Sequence, residues 1–241
     1  MEMQYNLEKL KELRRHLHQY PELSGKELET SKTIKQVLQR HQPSQIIEHL
    51  GGTGIAAIYE GKEPGPTVLF RCDLDALPID EVNTFEYRSR HKGIAHKCGH
   101  DGHMTIVTGL SEAISANPPE KGRVVLLYQP SEENGQGARQ VLQDEKFQSV
   151  EPDHVFALHN LPGYPAGSVI LRKETFAAAS KGMINRLHGK TSHAGEPENG
   201  LSPAVAMADI IKDLTILPGN QSFEDYTLIT VIHSRLGEIA F

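Results

Sequence analysis

Thr67-Val68-Leu69-Phe70-Arg71-Cys72-Asp73-Leu74-Asp75 joins a short apolar run, typical of a buried strand, to a cluster of polar side chains. Two later segments repeat this order: residues 124–128 run into residues 129–134, and residues 155–158 run into His159-Asn160. Open α/β sheets bind their ligands beyond the carboxyl ends of the strands. The three polar clusters are therefore expected to lie side by side and to form one site.

Helical patterns separate these strands along the chain. The first helix is indicated by one apolar face made of Leu7, Leu10, Leu13 and Leu17. A capping-box pattern at residues 24–27 predicts a second helix that runs toward Arg40, and further helices are expected over residues 104–116 and 136–142. With a further strand over residues 55–59, this alternation predicts an α/β domain whose mostly parallel sheet is flanked by helices.

The pattern changes after residue 176. A strand over residues 181–187, a helix over 201–214 and a strand over 227–232 predict a second, smaller α+β unit. The expected domains are residues 1–175 and residues 176–241. Because the sequence stops soon after Leu236-Gly237-Glu238-Ile239, the second unit is expected to be incomplete.

The composition excludes several classes of function. With 241 residues, 38% of them hydrophobic, the chain can bury a sizeable core. A net charge of −6 and the lack of a basic stripe argue against a nucleic-acid partner. No apolar run approaches membrane-spanning length, and the charged, amphipathic start of the sequence does not resemble a signal peptide. Two cysteines do not form a disulfide framework, so the cytoplasm is the expected location.

The segment His96-Lys97-Cys98-Gly99-His100-Asp101-Gly102-His103 concentrates potential metal ligands. Cys98 and His100 can turn toward one cation because Gly99 between them lets the backbone fold tightly. A structural zinc site would need a second pair of ligands of the same kind, and the sequence has no second cysteine pair. The segment therefore predicts a metal site with open coordination positions, suited to zinc, manganese, cobalt or nickel.

Two other strand ends offer partners for this site. His159 is a candidate third ligand because it follows a predicted strand. The side chains of adjacent Glu132 and Glu133 diverge in an extended segment, so that one carboxylate can bind metal while the other handles a proton. A carboxylate beside a metal can take a proton from water and pass it to a leaving amine.

The remaining polar residues have more than one possible role. Asp75 either ligates metal directly or hydrogen-bonds a ligating imidazole, and we favour the second role. Asp73 shares one face of its segment with Asp75. His103 either supports a ligand or only begins the next helix, whereas His96 is a weaker candidate because Lys97 separates it from the rest of the cluster.

Three competing hydrolase signatures are missing from the sequence. These are His-Glu-x-x-His of zinc proteases, Gly-x-Ser-x-Gly of serine hydrolases and the Pro-Cys-x-x-Cys motif of nucleobase deaminases.

The ordered motifs resemble the amidohydrolase branch of the aminoacylase and carboxypeptidase metallohydrolase superfamily, which includes hippurate hydrolases, auxin-conjugate hydrolases and N-acetyldiaminopimelate deacetylases. The resemblance extends over nearly the whole chain. It rests on Arg14-Arg15-His16-Leu17-His18 through Pro21-Glu22-Leu23, Asp73-Leu74-Asp75-Ala76-Leu77-Pro78, residues 96–103, Gln129-Pro130-Ser131-Glu132-Glu133, His159-Asn160-Leu161-Pro162-Gly163, and Gly189-Lys190-Thr191-Ser192-His193-Ala194-Gly195 to Pro197.

This resemblance implies a pair of divalent metal ions and specific roles for the matching residues. The implied ligands are Cys98, His100, Glu133 and His159, and Glu132 is the implied general base and then general acid. His193 would lie in a lid domain that also mediates homodimerisation, where it stabilises the oxyanion in an active site, commonly that of the partner subunit. Family members are longer and supply one more metal-binding histidine, to which no segment of this chain corresponds.

The sequence thus predicts a metal-dependent hydrolase that cleaves the amide bond of a small-molecule N-acyl amino acid, with Glu132 and Asp75 as catalytic residues. The resemblance implies His193 as a further catalytic residue. Two alternatives remain open. One is a dipeptidase or carboxypeptidase of the same superfamily, and the other is a catalytically incomplete metal-binding fragment.

Overall fold

A computed structural model describes residues 6–177 and 179–237. The chain divides between Ser168 and Val169 into two compact units. The boundary expected from the sequence lies after residue 175. Every predicted site residue except His193 belongs to the first unit.

The first unit is built on a five-stranded sheet in the order β1-β2-β4-β3-β5. The strands are β1 (Gln45–Leu50), β2 (Gly54–Glu60), β3 (Glu63–Asp73), β4 (Lys121–Gln129) and β5 (His154–Ala157). Strand β3 lies parallel to both β4 and β5, whereas β2 lies antiparallel to both β1 and β4. The expected parallel arrangement therefore holds for the half of the sheet that carries the polar strand ends, and the sheet as a whole is mixed.

The turn between the first two strands explains the antiparallel half. Only three residues join β1 to β2, and two of them, Gly51 and Gly52, have φ values of +64° and +113°. A connection of this length permits only antiparallel pairing, because parallel strands need a long crossover. The sequence pattern does not predict β1, because Gln, Glu and His residues interrupt the continuous apolar run typical of a buried strand.

Helices cover both faces of the sheet, as predicted. The helices α1 (Leu7–Gln19), α2 (Leu28–Arg40) and α3 (His100–Ala116) contact one another or the sheet around one core, whereas α4 (Gly137–Gln143) and a 3-10 turn (Glu145–Val150) cover the other core. Strand β2 serves both cores because its side chains alternate between the two faces. Ile55 and Ala57 enter the first core, and Ala56 and Ile58 enter the second.

The predicted capping box at residues 24–27 is wrong. Helix α2 begins at Leu28, after Glu27, which makes no side-chain capping bond. The Ser24 hydroxyl instead donates to Asp75 Oδ2 at 2.7 Å, and the buried Glu27 carboxylate accepts from the Ser131 amide and the Thr53 hydroxyl. Both side chains are therefore engaged in tertiary contacts with the polar strand ends.

Strand β5 confirms the strand predicted near residues 155–158, but it is not covered on both faces. It pairs with β3 alone at the edge of the sheet, and Val155 and Phe156 are 60% and 54% exposed. Phe156 stacks on Phe70 of the neighbouring strand, with ring centroids 5.4 Å apart.

The second unit contains the helix expected from the sequence but neither of the two expected strands. Helix α5 spans Ala204–Asn220 and follows Pro203, whose ring restricts the residue before it. Residues 181–187 and 227–232 form no strand among the described residues, because no neighbouring segment satisfies their backbone groups as a ladder. A bridge between Lys190 and Leu201 and a 3-10 turn at Pro197–Asn199 are the other regular features described there. Nowhere in the described part of the chain does a helix combine the length and apolar character needed to span a membrane.

Candidate metal centre

The junction between Cys98 and helix α3 brings two potential ligands to one side of the sheet. Gly99 directly precedes the helix and has φ of +98°, a conformation that L side chains rarely adopt. A Cβ atom at this position would also lie 2.5 Å from Asn160 Oδ1. Glycine is therefore required here both by the backbone conformation and by the close approach of the segment after β5.

Cys98, His100 and His159 form the first group of converging side chains. Each offers one ligand atom, and these three atoms lie within 4.8 Å of one another. Cys98 Sγ is 3.2 Å from His159 Nε2. This sulfur–nitrogen pair brings together the loop before α3 and the segment after β5.

His100, Glu132 and Glu133 form a second group, which shares His100 with the first. His100 Nε2 lies 3.7 Å from Glu132 Oε2 and 3.9 Å from Glu133 Oε1. The Glu133 side chain is 16% exposed and that of Glu132 is 39% exposed, so Glu132 is the more open to solvent. Ser131 sets the turn that presents the two glutamates, with φ of +53° and its amide bound to Glu27.

Asp75 fixes the orientation of the shared histidine. The Asp75 carbonyl oxygen lies 2.8 Å from His100 Nδ1, and Asp75 Oδ1 lies 3.6 Å from the same nitrogen. Because Nδ1 is held by oxygen acceptors, it carries the proton in the neutral ring and Nε2 presents its lone pair. Nε2 is buried and has no hydrogen-bond partner among the described residues.

Asp75 itself is held as a carboxylate. Burial alone would raise its pKa, but the nearby His100 ring and hydrogen bonds from Ser24 and the backbone of Glu133 outweigh burial and lower the pKa to about 2. The Glu133 amide donates to Asp75 Oδ2 at 2.9 Å. One carboxylate therefore connects α3 with the glutamate turn, and the geometry corresponds to an orienting role rather than to direct ligation.

The pKa values of Cys98 and Glu133 are raised, and a bound cation would lower both. Burial, reinforced by nearby Glu133, raises the pKa of the Cys98 thiol to about 12. Burial also raises the pKa of Glu133, and its Oε1 has no hydrogen-bond partner in the described part of the chain. A bound divalent ion favours the deprotonated forms of thiol and carboxylic acid. The cluster therefore fits a divalent metal. It offers sulfur, nitrogen and oxygen donors, and His100 Nε2 and Glu133 Oε1 have no hydrogen-bond partner among the described residues.

His103 and Asn160 contact each other next to His159. His103 is buried, and its Nε2 lies 2.7 Å from Asn160 Oδ1 and 3.0 Å from the Asn160 amide. Its ring also lies 4.5 Å from that of His159, between centroids. Asn160 therefore holds the segment after β5 close to α3. No role for Asn160 was predicted from the sequence, although its position directly after His159 was the available signal.

Three other sequence candidates lie outside the two ligand groups. His96 is buried, and burial lowers its pKa to about 4, which favours a neutral ring. Burial raises the pKa of Asp73 to about 6 against the effect of Arg71, whose Nη2 lies 2.5 Å from Asp73 Oδ1. His193 belongs to the second unit, where it is exposed and its Nδ1 accepts a hydrogen bond from the Gly195 amide.

A family model for peptidase family M20/M25/M40 matches residues 69–230, about two thirds of the chain. The chain belongs to this family. The matched range includes all four candidate metal ligands, Asp75, which contacts His100, and His193 in the second unit.

Curated members of the M20 family resemble the chain over most of its length. An N-acetyl-L-cysteine deacetylase of Bacillus subtilis is 40% identical over 221 residues, which cover 91% of this chain and 52% of that relative. An N-acetyldiaminopimelate deacetylase of Lactobacillus acidophilus is 37% identical over 208 residues, covering 84% and 54%. The chain therefore spans about half the length of the curated relatives it matches.

Two solved structures agree with the fold. A Bacillus subtilis protein described as a dinuclear metal binding peptidase of this family has a TM-score of 0.61 and 38% identity, covering 66% of this chain and 44% of that one. A Staphylococcus aureus protein described as an aminohydrolase has a TM-score of 0.66 and 28% identity, covering 90% and 58%.

Proposed function

We propose that this protein is the metal-binding part of an amidohydrolase that removes the acyl group from N-acyl amino acids. The observation that carries the proposal is the pair of ligand groups that share His100, the second of which contains Glu133 and the more exposed Glu132. The names of the curated relatives, which are deacetylases of N-acetyl amino acids, support the substrate class.

A pair of divalent ions would be held by Cys98, His100, Glu133 and His159. Zinc, manganese, cobalt and nickel all suit this mixture of thiolate, imidazole and carboxylate ligands. When bound, such ions act as Lewis acids that polarise the amide carbonyl and make water a better nucleophile at neutral pH. Asp75 keeps the Nε2 lone pair of His100 directed at the ligand position through the contacts of its carbonyl and carboxylate with Nδ1.

Glu132 performs the proton transfers in this proposal. Its carboxylate is more exposed than that of Glu133 and can therefore face a substrate. It takes a proton from the water molecule whose oxygen attacks the amide carbon. It then gives that proton to the amide nitrogen as the carbon–nitrogen bond breaks, so that a carboxylic acid and a free amino acid are released.

We further infer that residues 176–241 begin a lid and dimerisation domain that follows a catalytic domain at residues 1–175. In this proposal, a homodimer forms through the lid, and His193 stabilises the oxyanion of the tetrahedral intermediate. The support is the match of Gly189-Lys190-Thr191-Ser192-His193 to the family motif. We place the protein in the cytoplasm, because both Cys72 and Cys98 are free thiols.

The decisive experiment replaces Glu132 by Gln in the longest natural form of the protein, loaded with metal. We expect the variant to bind metal like the wild type but to lose roughly 100-fold or more in kcat on N-acetyl amino acids. The control is Glu120→Gln, which changes an exposed glutamate paired with Lys62. Wild-type turnover by the Glu132→Gln variant would overturn the assigned role.

The same preparation separates the two alternatives. A panel of N-acetyl, N-benzoyl and dipeptide substrates distinguishes an acyl amino acid hydrolase from a dipeptidase or carboxypeptidase. Calorimetric titration of the 241-residue chain with Zn²⁺ tests the pair of ions. Two sites support the enzyme, whereas one weak site or none supports a metal-binding fragment.

A further inference from the structure

A network of buried charged side chains contacts residues 97–101, which form the ligand loop. The proposed reaction does not use this network. Its centre is His18 in the last turn of helix α1, within the Arg14-Arg15-His16-Leu17-His18 motif. His18 Nδ1 is 3.0 Å from Asp101 Oδ2, and its Nε2 is 3.1 Å from Glu81 Oε1. Both ring nitrogens therefore face carboxylates, which only the protonated imidazolium can satisfy by donating twice.

The carboxylates of Asp101 and Glu81 are shielded from solvent, as is the His18 ring. The side chains of Asp101 and Glu81 are 1% and 3% exposed, and that of His18 is 7% exposed. Loss of His18 would remove one partner from each of two buried carboxylates and would therefore be destabilising, although Lys97 and Arg14 also pair with them. The hydrogen bond to Asp101 raises the pKa of His18, which agrees with a charged ring.

The network contacts the ligand loop on either side of Cys98 and His100. Lys97, which directly precedes Cys98, places its Nζ 2.6 Å from Glu81 Oε1. Asp101, which directly follows His100, accepts from His18 and from Arg14 Nε at 3.2 Å. The three residues between these anchors are the two ligands, Cys98 and His100, and Gly99.

Aromatic side chains hold the centre of the network in place. The rings of Phe85 and Tyr87 stack on each other with centroids 4.2 Å apart. They contact the His18 ring at centroid distances of 5.5 Å and 5.8 Å. The Ser89 amide donates to Glu81 Oε2 at 2.6 Å, so the loop that carries these rings also fixes the second carboxylate. His18 is therefore packed against two aromatic rings as well as paired at both nitrogens.

We propose that His18 is a positioning residue that sets the spacing of Cys98 and His100 for cation binding, by tying Asp101 and, through Glu81, Lys97 to helix α1. This inference rests on the proposed metal centre. It assigns His18 no contact with substrate or metal. His18 acts by restricting the loop before a cation arrives, so that less conformational freedom is lost on binding.

The test compares His18→Gln with His16→Gln in the full 241-residue chain. His16 lies on the same helix but is exposed, so it is a matched control for the loss of an imidazole. Co²⁺ and Zn²⁺ are the probes. Affinity is measured by calorimetry, and the absorption band of the cobalt–thiolate bond reports the position of Cys98. Thermal unfolding of the metal-free variants defines a temperature at which each remains folded.

We expect His18→Gln to weaken metal binding by roughly 10- to 100-fold, the range seen when groups that orient metal ligands are removed. Its cobalt–thiolate band should be weaker or shifted, whereas His16→Gln should match the wild type in both measurements. If His18→Gln is folded and keeps wild-type affinity and spectrum, the inference is wrong, even if its melting temperature falls.

Lys97→Met provides a second variant in case His18→Gln does not fold. The Lys97 side chain is 27% exposed, so its replacement leaves less buried charge than loss of His18. A decrease in metal affinity smaller than that expected for His18→Gln supports the network, and unchanged affinity contradicts it. If the wild-type chain binds neither metal, the proposed metal centre itself fails, which is a different outcome from wild-type binding that the variants retain.

Discussion

Cys98 Sγ lies 3.2 Å from His159 Nε2, although 61 residues separate them in the chain. Two contacts of Asn160 maintain this approach. Gly99 leaves room for Asn160, and Asn160 is held by His103 at the start of α3. The thiol and the imidazole are therefore brought together by the same contacts that join the segment after β5 to the loop before α3.

Replacement of Cys98 by Ser should weaken Zn²⁺ binding by roughly 10-fold or more, since a hydroxyl is a poorer ligand than a thiolate for this metal. Calorimetric titration measures the effect. Cys72→Ala is the matched control, because Cys72 is the only other thiol and lies in the core. That variant should lose stability but keep its affinity. Equal affinities of Cys98→Ser and wild type would contradict the ligand assignment.

Gly99→Ala should destabilise the protein and weaken metal binding at the same time. The new Cβ would overlap Asn160 Oδ1 in addition to straining the backbone at φ of +98°. Gly93→Ala is the control, because Gly93 has φ of +74° but no atom within 4 Å of the new Cβ.

The strain alone should cost about 1–2 kcal/mol in the free energy of unfolding at position 93, with metal affinity unchanged. A larger loss at position 99, measured by urea denaturation, isolates the contribution of the Asn160 contact. Equal losses for the two variants would mean that this contact contributes little.

Ser24→Ala should lower the free energy of unfolding by about 1–3 kcal/mol, because the buried Asp75 carboxylate would lose a hydrogen bond of 2.7 Å. The pKa of Asp75 should rise, since the Ser24 hydroxyl is one of the groups that lower it. Denaturation as a function of pH measures both effects. Ser149→Ala, which removes an exposed bond to the Lys146 carbonyl, should change stability by less than about 1 kcal/mol.

The contribution of His18 to stability should depend on pH in a direction set by its raised pKa. Because the folded-state pKa lies above the ordinary value of 6.5, the stabilisation is complete below about pH 6.5 and is lost as pH rises through the folded-state value. The lowered pKa values of Asp101 and Glu81 give the opposite pH dependence. The stability that these two carboxylates contribute is lost only as pH falls below about 4.5. The charged groups around the ring also include Arg14, and Lys97 on Glu81.

The measurement compares metal-free wild type with His18→Gln by chemical denaturation at about pH 5.5 and about pH 8.5. The difference in unfolding free energy between the two proteins should be larger at the lower pH. His96 is present in both proteins, so its own titration largely cancels in the comparison. A difference that grows toward the higher pH would show that His18 is not a charged partner of these carboxylates.

Several elements could be predicted because their signals are local. The leucines of α1, the apolar runs of β2, β3 and β4, and the helix after His100 each follow a periodicity that neighbouring residues reveal. Strand β1 and the role of Ser24 could not be found in this way. The first is half polar, and the second satisfies every local rule for a capping box while its hydroxyl bonds to a carboxylate 51 residues away.

The sequence by itself determined the α/β architecture of the first unit and the set of residues able to bind metal, because periodicity and ligand chemistry are properties of short segments. Only the tertiary structure decided that His100 is shared by two groups of potential ligands, that Asp75 contacts its Nδ1 atom, and that His18 of α1 contacts Asp101 next to it. These relationships depend on distances between side chains far apart in sequence. Such distances are fixed by packing of the whole unit, where many contacts act together and no local pattern records them.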